Sequence, residues 1–282
     1  MKSPIENYVI LLRPKHWIKN LLLFAAPFFG GRLLEAGVLA VALPAFIAFS
    51  LCASAVYIFN DIKDIGSDRL HPDKMKRPLA SNAVSIKSAF IAACLLATCS
   101  FALSAMIAPS FLLFVLLYSL VQIAYSMHLK RIALLDIFCI ASGFTIRVLA
   151  GGAAFHVKAS PWLLVTMFMI SLVLATGKRL GEITLLHERA LECRKSLNDV
   201  SASVLTEVLL ISAAASLISY ALYTIEQSQR LIYTVPVVTF GIFRYIAVSK
   251  QGMGDPTEAL SKDGQLALTV VVWLVSVGLL RY

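Results

Sequence analysis

The chain has 282 residues, of which 59% are hydrophobic and only 15% are charged. A soluble domain of this length needs a polar surface and carries about 25% charged residues, so the composition excludes soluble classes and predicts an integral membrane protein. The formal net charge is +9. In a membrane protein, basic residues report orientation and anionic ligands before they report nucleic acid. We therefore expect membrane lipids, and no nucleic acid, as partners.

Nine apolar segments follow one another along the chain, without the period-two alternation of a membrane barrel. They lie at about 16–33, 36–60, 87–107, 109–127, 133–153, 160–177, 205–224, 231–249 and 265–281. Helices are predicted for all of them, because helices satisfy their own backbone polar groups in lipid. The first segment is short, and Pro27 and Gly30-Gly31 interrupt it. The prediction is an all-α bundle of nine transmembrane helices, forming a single catalytic domain over residues 1–282.

The basic residues are divided unequally between the two sets of connections. One set holds nineteen Lys and Arg side chains and the other holds four. The positive-inside rule places the richer set and the N-terminus in the cytoplasm, and the C-terminus outside. The long charged connections 61–86, 178–204 and 250–264 belong to the inner set. They predict a cytoplasmic cap over the bundle, with the chemistry beneath it.

An acidic motif begins where the second apolar segment ends, in the stretch NDIKDIGSDRLHPDKMKRP at 60–78. Asp61, Asp64 and Asp68 are spaced i, i+3, i+7, which places them within about 60° of one another on a helix, with Asn60 on the flank. Clustered carboxylates repel unless a cation lies between them. Their oxygens suit Mg²⁺, which commonly bridges to substrate phosphates. We predict these four residues as Mg²⁺ ligands.

Basic residues lie within and directly after the acidic motif. In the alternative interpretation, the aspartates of a solvated helix end pair with Lys63 and Arg69. Lys63 is two residues from Asp61 and therefore lies on another face of the helix. Cations that follow a carboxylate cluster suit a Mg²⁺-diphosphate ligand, with metal on one side and basic groups on the other. We expect Lys74 and Arg77 to bind phosphate.

The motif carries a resemblance to a known family. NDIKDIGSD fits the N-D-x-x-D-x-x-x-D motif of the UbiA-type intramembrane prenyltransferase superfamily, and KMKRP resembles the K/R-x-x-R-P tail that follows it. The predicted nine spans agree with a UbiA-type bundle. Typical members have a second Asp-rich motif after the sixth span. This chain instead has GKRLGEITLLHERALECRKSL at 177–197, and Asp199 is the only aspartate of that connection.

Further segments resemble one branch of the superfamily, the decaprenyl-phosphate phosphoribosyltransferases. These segments are RPKHWIKN at 13–20, HPDKMKRP at 71–78, LDIFCIASGFTIRVLAGG at 135–152, GKRLGE at 177–182 and RKSL at 194–197. The resemblance implies Mg²⁺-dependent transfer of 5-phosphoribose from phosphoribosyl diphosphate to a polyprenyl phosphate, with release of diphosphate. It further implies that the product feeds the synthesis of arabinose donors for the cell envelope. It also implies a bacterial inner membrane with a cytoplasmic active site, and is compatible with a homo-oligomer.

Two other functions stay open on the sequence alone. An aromatic-acceptor polyprenyltransferase would use a prenyl diphosphate, and its connection after the sixth span would be Asp-rich, whereas this one is rich in Lys, Arg and Glu. A secondary transporter would account for short, broken spans, but it leaves the three aspartates at 61–68 unexplained. The phosphoribosyl transfer implied by the resemblance is the first interpretation, and the connection after the sixth span is the feature that separates it from the prenyltransferase.

Lys178, Arg179 and Glu182 begin the polar connection after the sixth segment. Lys178 and Glu182 are spaced i, i+4 and share a helix face, so they could form an interfacial snorkelling pair. In the phosphoribosyltransferase interpretation, the cations clamp the ribose 5-phosphate or the diphosphate. We therefore predict a catalytic group of Asp61, Asp64, Lys178 and Arg179.

The predicted substrate contacts combine motif residues with charged or aromatic side chains near the inner ends of spans and with Arg147, which lies about two-thirds of the way across the fifth segment. They are Lys15, Lys19, Asn60, Lys74, Arg77, Tyr125, Lys130, Arg147, Glu182 and Arg244. For Lys15, Lys19, Tyr125, Lys130 and Arg244, interfacial anchoring or snorkelling is the ordinary alternative.

The sequence allows more than one role for Arg147 and for Asp255. An arginine within a span normally faces a cavity or a partner. Asp136 is on the same face as Arg147 but about 16 Å away along the axis, too far for a direct pair. Asp255 could assist a second metal or contact ribose hydroxyls, or it could cap a helix that begins at Pro256.

Overall fold

A computed structural model describes residues 3–70, 74–186 and 201–282. Its α-helices are α1 Pro4–Leu12, α2 Ala25–Phe29, α3 Ala36–Leu70, α4 Ile86–Ile107, α5 Pro109–Met127, α6 Leu135–Ala154, α7 Pro161–Leu186, α8 Ala202–Gln227, α9 Val235–Lys250, α10 Pro256–Lys262 and α11 Gly264–Arg281. Short 3₁₀ helices occupy Pro14–Phe24, Lys74–Lys76, Leu129–Arg131 and Gln229–Thr234. The predicted features at 71–73 and 187–200, including Asp199, lie outside the described residues.

Eight helical stretches among the described residues are long and apolar enough to cross a membrane. They coincide with the second to ninth predicted segments, so the chain is an all-helical, multi-pass membrane protein. The first predicted segment, 16–33, is a 3₁₀ helix of 11 residues followed by the five residues of α2. At about 2.0 Å per residue for the 3₁₀ part and about 1.5 Å for α2, this segment can reach about 30 Å. The ninth span, the orientation and the cytoplasmic cap stay predictions.

The chain divides into two compact units, and the first comprises residues 1–129 and 146–158. Its apolar core surrounds Phe49 on α3, with Phe111 and Tyr118 on α5 and Ile146 on α6. The 35 residues of α3 span about 52 Å, whereas the hydrocarbon core of a bilayer is about 30 Å thick. Helix α3 therefore continues past its apolar part and carries the whole acidic motif on one unbroken helix, as the spacing predicted.

The 3₁₀ helix of the first unit lies directly against α6 at Gly151. A Cβ atom added at Gly151 would lie 1.8 Å from the carbonyl oxygen of Leu23. This is less than any contact that a real side chain tolerates, so only glycine allows the two backbones to approach so closely. The contact fixes where α6 sits against residues 14–24.

The second unit comprises residues 130–145 and 159–282. Helices α7 and α8 pack along each other, and α9 and α11 complete the group. Its main apolar cluster includes Val173, Leu209, Ile242, Tyr245 and Val248. Helix α10 is short and is followed at once by α11, with Asp263 between them. The prediction of a single catalytic domain over 1–282 stays a prediction.

Candidate functional site

The acidic motif forms a partly buried polar group on α3 in the first unit. Asp61 and Asp68 are buried, whereas Asn60 and Asp64 are half-buried. The Asn60 amide Nδ2 donates to Asp64 Oδ2 at 3.1 Å. Its Oδ1 accepts a hydrogen bond from Ser126 Oγ on α5 at 2.9 Å. Asn60 is thus held between two helices, and its amide orients the carboxylate one turn further along α3.

Two guanidinium groups from outside α3 contact the aspartates. Arg13 donates to Asp61 Oδ1. Arg77 Nη1 lies 3.1 Å from Asp61 Oδ1 and 2.6 Å from Asp68 Oδ2. Arg77 thus contacts two carboxylates of the motif, and its predicted binding of phosphate stays a prediction. Arg13 belongs to the quoted segment RPKHWIKN, but no role was predicted for it.

Lys63 and Arg69, the basic residues between and beside the aspartates, contact other groups. Lys63 Nζ lies 5.8 Å from the centre of the Phe59 ring, and Arg69 donates to the Ala80 carbonyl oxygen at 3.1 Å. Asp61 and Asp68 therefore pair with Arg13 and Arg77. Within the described residues, neither pairs with Lys63 or Arg69, the partners of the alternative interpretation.

Arg13 reaches Asp61 because of its backbone. It lies in the left-handed region, with φ 53°, where it ends α1 and precedes the 3₁₀ helix. A non-glycine residue in this region is strained by about 1 kcal/mol or more, so neighbouring contacts must hold it. Ser54 Oγ donates to the Leu12 carbonyl oxygen at 2.8 Å, and the Arg13 guanidinium lies 5.3 Å from the centre of the Tyr57 ring. Helix α3 therefore holds both the backbone and the side chain at this junction.

The donor set of the motif fits Mg²⁺ shared with a phosphate ligand. Within residues 3–70, 74–186 and 201–282, no three His, Cys, Asp or Glu side chains form a ready-made metal cage. Magnesium in proteins is usually bound through one or two carboxylates plus substrate phosphates, and not by an all-protein cage. Asn60, Asp61 and Asp64 supply oxygens of that kind from neighbouring positions on one helix. Asp68 is engaged by Arg77, and its predicted role as a ligand stays a prediction.

In the second unit, Arg179 is buried between two carboxylates. Its Nε donates to Asp136 Oδ2 at 2.9 Å, and its Nη1 donates to Glu182 Oε2 at 3.0 Å. Asp136 Oδ1 in turn accepts the backbone N–H of Ile137 at 2.8 Å. Arg179 therefore ties the start of α6 to α7. The spacing allowed a Lys178–Glu182 pair, but Glu182 pairs with Arg179.

Lys178 instead pairs with a residue far along the chain. Its Nζ donates to Asp255 Oδ2 at 2.5 Å, just before α10. Asp255 is also the N-cap of α10, as one of the sequence alternatives predicted. The two neighbouring cations of the predicted catalytic group thus have separate partners and differ in exposure.

Arg147 lies in a buried polar cluster of the first unit. Its Nε donates to Asn20 Oδ1 at 2.9 Å, and its Nη2 donates to the Tyr118 hydroxyl at 2.9 Å. Its guanidinium also lies over the rings of Phe49 and Tyr118, 4.7 Å from the centre of the latter. Asn20 further donates to Ser50 Oγ at 3.0 Å. These contacts join α3, α5, α6 and the 3₁₀ helix, and a substrate contact by Arg147 stays a prediction.

Arg244 forms a two-pronged pair with Asp263. Its Nε and Nη2 lie 3.1 and 2.6 Å from Asp263 Oδ2. Asp263 Oδ1 also accepts the backbone N–H of Leu266 at 2.7 Å and so caps α11. The Arg244 hydrogen bond, followed by that from Leu266, lowers the pKa of Asp263. The pair joins the end of α9 to the start of α11, and substrate binding by Arg244 stays a prediction.

Replacement of Arg244 by Lys should lower the midpoint of thermal unfolding in detergent by a few degrees, because an ammonium cannot reproduce the two-pronged geometry. The pKa of Asp263 is lowered in the folded protein. The stability that the pair contributes is therefore fully present above the ordinary aspartate pKa of about 4 and is lost only at lower pH. The difference from the parent should therefore be constant from about pH 5 to about pH 8. An unchanged midpoint would contradict this role.

The remaining predicted contacts are spread over several short elements. Lys15 and Lys74 are exposed, while Lys19, Tyr125 and Lys130 are half-buried. Because Lys15 and Lys19 lie on a 3₁₀ helix, four residues correspond to an offset of about 120° and not to one shared face. Their different exposure follows from this geometry.

The described residues place paired acidic and basic groups in an all-helical, multi-pass membrane protein. Residues 22–266 match the UbiA prenyltransferase family. The chain is 35% identical to a protein named decaprenyl-phosphate phosphoribosyltransferase from Mycolicibacterium smegmatis, covering 100% of this chain and 94% of that protein. A protein of the same name from Mycobacterium tuberculosis is 34% identical, covering 97% of this chain and 94% of that one.

Solved structures agree on the fold. A UbiA homolog from Archaeoglobus fulgidus bound to DMAPP and Mg²⁺ superposes with a TM-score of 0.75, at 17% identity, covering 98% of each chain. A UbiA homolog from Aeropyrum pernix K1 gives 0.70 at 17% identity, covering 95% of this chain and 97% of that one. At this identity the likeness shows the fold alone. The chain belongs to the UbiA prenyltransferase family and is a transferase of that family.

Proposed function

We propose that this chain transfers 5-phosphoribose from phosphoribosyl diphosphate to a polyprenyl phosphate and releases diphosphate. The observation that supports this most strongly is the identity of about 35% over the full chain with proteins named decaprenyl-phosphate phosphoribosyltransferase. The product would supply arabinose donors for a cell envelope. The distribution of basic residues supports a cytoplasmic active site in a bacterial inner membrane.

The reaction exchanges one bond at the anomeric carbon of ribose for another. An oxygen of the lipid phosphate forms a bond to this carbon while the bond to the diphosphate oxygen breaks, and the diphosphate leaves with the electron pair. The carbon develops oxocarbenium character as the bond breaks. A lipid phosphate is already an anion at neutral pH, so no strong general base is needed.

The acidic motif would bind the leaving group. Asn60, Asp61 and Asp64 would hold Mg²⁺, which when bound neutralises charge that builds up on the departing diphosphate. Arg13 and Arg77, which contact Asp61 in this structure, would donate to diphosphate oxygens. Guanidinium groups suit this task because their N–H groups match phosphate oxygens in pairs. Asp61 and Asp68 would keep these cations in place before the substrate binds.

Other predicted residues would bind the remaining phosphate groups. Lys178 and Arg179 are proposed for the ribose 5-phosphate or the diphosphate, with Glu182 fixing Arg179. The side chains proposed for the lipid phosphate and the inner membrane surface are Lys15, Lys19, Tyr125 and Lys130.

Isotope-labelled phosphoribosyl diphosphate, incubated with the purified protein, polyprenyl phosphate and Mg²⁺, should give a labelled lipid. The same preparation should not prenylate an added phenol when supplied with a prenyl diphosphate. The prenyl diphosphate is included because a structure with the same fold was solved with DMAPP and Mg²⁺ bound. No labelled lipid together with a prenylated phenol would reverse the proposal in favour of an aromatic-acceptor prenyltransferase.

A further inference from the structure

The segment after α9 lies directly on the backbone of α7 in the second unit. A Cβ added at Gly254 would be 2.4 Å from the Gly177 carbonyl oxygen. A Cβ added at Gly181 would be 2.6 Å from the Gly254 amide nitrogen. Gly177 and Gly181 are one turn apart, so together they leave a groove on α7 that holds residue 254. The groove sets the position of the next residue, Asp255, relative to Lys178.

Tyr245 on α9 holds the same contact from another side. Its buried hydroxyl lies 2.9 Å from the Leu174 carbonyl oxygen and 2.8 Å from the Gly254 carbonyl oxygen. Its ring fills the space beside Gly177, where an added Cβ would lie 2.6 Å from a ring carbon. Tyr245 therefore joins α7, α9 and residue 254 through one side chain.

Both carboxylate oxygens of Asp255 are in use. Oδ1 accepts the backbone N–H groups of Thr257 at 3.0 Å and Glu258 at 3.3 Å, and Oδ2 accepts from Lys178. Burial alone would raise the pKa of Asp255. The hydrogen bond and charge of Lys178, together with the two backbone donors, outweigh burial, and the pKa lies below its ordinary value. Asp255 is thus ionised and held at both oxygens.

The two neighbouring cations differ in exposure. The Arg179 side chain is 3% exposed between its carboxylates, whereas the Lys178 side chain is 41% exposed. Asp255 uses one N–H of the Lys178 ammonium, which carries three. Of the two, Lys178 is the more accessible to an anionic ligand.

We propose that Asp255 is a positioning residue for Lys178, and that Lys178 so placed binds a phosphate group of the sugar diphosphate. Asp255 directs the ammonium at the end of a long, flexible side chain, and Gly181 and Tyr245 fix Asp255. This inference rests on the proposed function for the identity of the ligand. The contacts that position Lys178 do not depend on that function.

A double-mutant cycle tests the inference with phosphoribosyl diphosphate as the varied substrate. Lys178→Met and Asp255→Asn should each lower kcat/KM by about ten- to a hundredfold. The double variant should be no slower than Lys178→Met alone, because Asp255 acts only through Lys178. Asn keeps the oxygen that caps α10, so folding is retained. If the two effects multiply instead, Asp255 has a separate structural role and the inference is overturned.

Two more variants separate positioning from general damage. Tyr245→Phe keeps the ring beside Gly177 but removes the hydroxyl, and should lower kcat/KM in the same direction as Asp255→Asn. Lys262→Met is the matched control, because Lys262 also pairs with a carboxylate, Glu258, at 2.6 Å on α10. It should leave kcat/KM within about twofold of the parent. Equal losses in the control and in Asp255→Asn would overturn the inference.

The test distinguishes failure of the inference from failure of the proposed function. If the parent protein transfers no phosphoribose, the proposed function fails. Calorimetric titration with inorganic diphosphate and Mg²⁺ then tests the pair alone. Binding should weaken about tenfold in both Lys178→Met and Asp255→Asn, with no further loss in the double variant. Unchanged binding in Asp255→Asn would overturn the inference whichever substrate the enzyme uses.

Discussion

Replacement of Asp64 by Asn is expected to lower the rate of phosphoribosyl transfer by about a thousandfold and to leave the protein folded. An amide keeps the shape of the carboxylate and can still meet the Asn60 amide, which donates to Asp64 at 3.1 Å. It lacks the negative charge that a hard divalent cation prefers. Initial rates with labelled phosphoribosyl diphosphate, together with the thermal midpoint in detergent, measure both parts of the expectation.

The same replacement at Asp61 would have a second effect. Asp61 also accepts from Arg13 and Arg77, so its replacement would leave two guanidinium groups without their carboxylate and would mix loss of a ligand with charge repulsion. Ser67→Ala on the same helix is the matched control. The exposed Ser67 hydroxyl donates to the Asp64 carbonyl oxygen within its own turn. A variant Asp64→Asn that kept half of the parent rate would contradict the proposed site.

Replacement of Gly151 by Ala is expected to destabilise the first unit by about 3 kcal/mol. The new methyl group would lie 1.8 Å from the Leu23 carbonyl oxygen, and a backbone atom cannot move aside as a flexible side chain can. The 3₁₀ helix would have to shift away from α6, and it carries Asn20, which contacts Arg147. The thermal midpoint in detergent and the yield of folded protein would both fall.

The matched control for Gly151 is Gly278→Ala on α11. Among the described residues, no atom beyond the neighbouring backbone of α11 lies within 4 Å of a Cβ built at Gly278, and alanine favours a helix over glycine by up to about 1 kcal/mol. This variant should be as stable as the parent or slightly more stable. Equal thermal midpoints for Gly151→Ala and the parent would mean that the backbones of α6 and residues 14–24 do not approach as described.

Hydropathy predicted most of the helices, because a lipid environment allows few other structures. Eight of the nine apolar segments are helical stretches with nearly the expected bounds. The i, i+3, i+7 spacing correctly placed the acidic motif on one continuous helix. The first segment differs because periodicity does not separate a 3₁₀ helix from an α-helix over 11 residues. The 3₁₀ geometry also separates Lys15 from Lys19 by about 120° around the helix axis.

The sequence predicts the helices better than it predicts which side chains form ion pairs. Arg13 and Asp61 are 48 positions apart, and Lys178 and Asp255 are 77 apart. Spacing along a helix identifies which side chains share a face, but it carries no information about which distant segment covers that face. The close backbone contacts at Gly151 and Gly254 are of the same kind, since nothing local marks a glycine that another backbone touches.

In the proposed reaction, oxygens of α3 hold a cation shared with the diphosphate leaving group. The most direct test is density for the protein with Mg²⁺ and an unreactive phosphoribosyl diphosphate analogue. The expected result is an ion about 2.1 Å from oxygens of Asp64 and of Asn60 or Asp61, with Arg13 and Arg77 turned towards the diphosphate. Arginines still paired with Asp61, and no ion beside a bound analogue, would contradict the account.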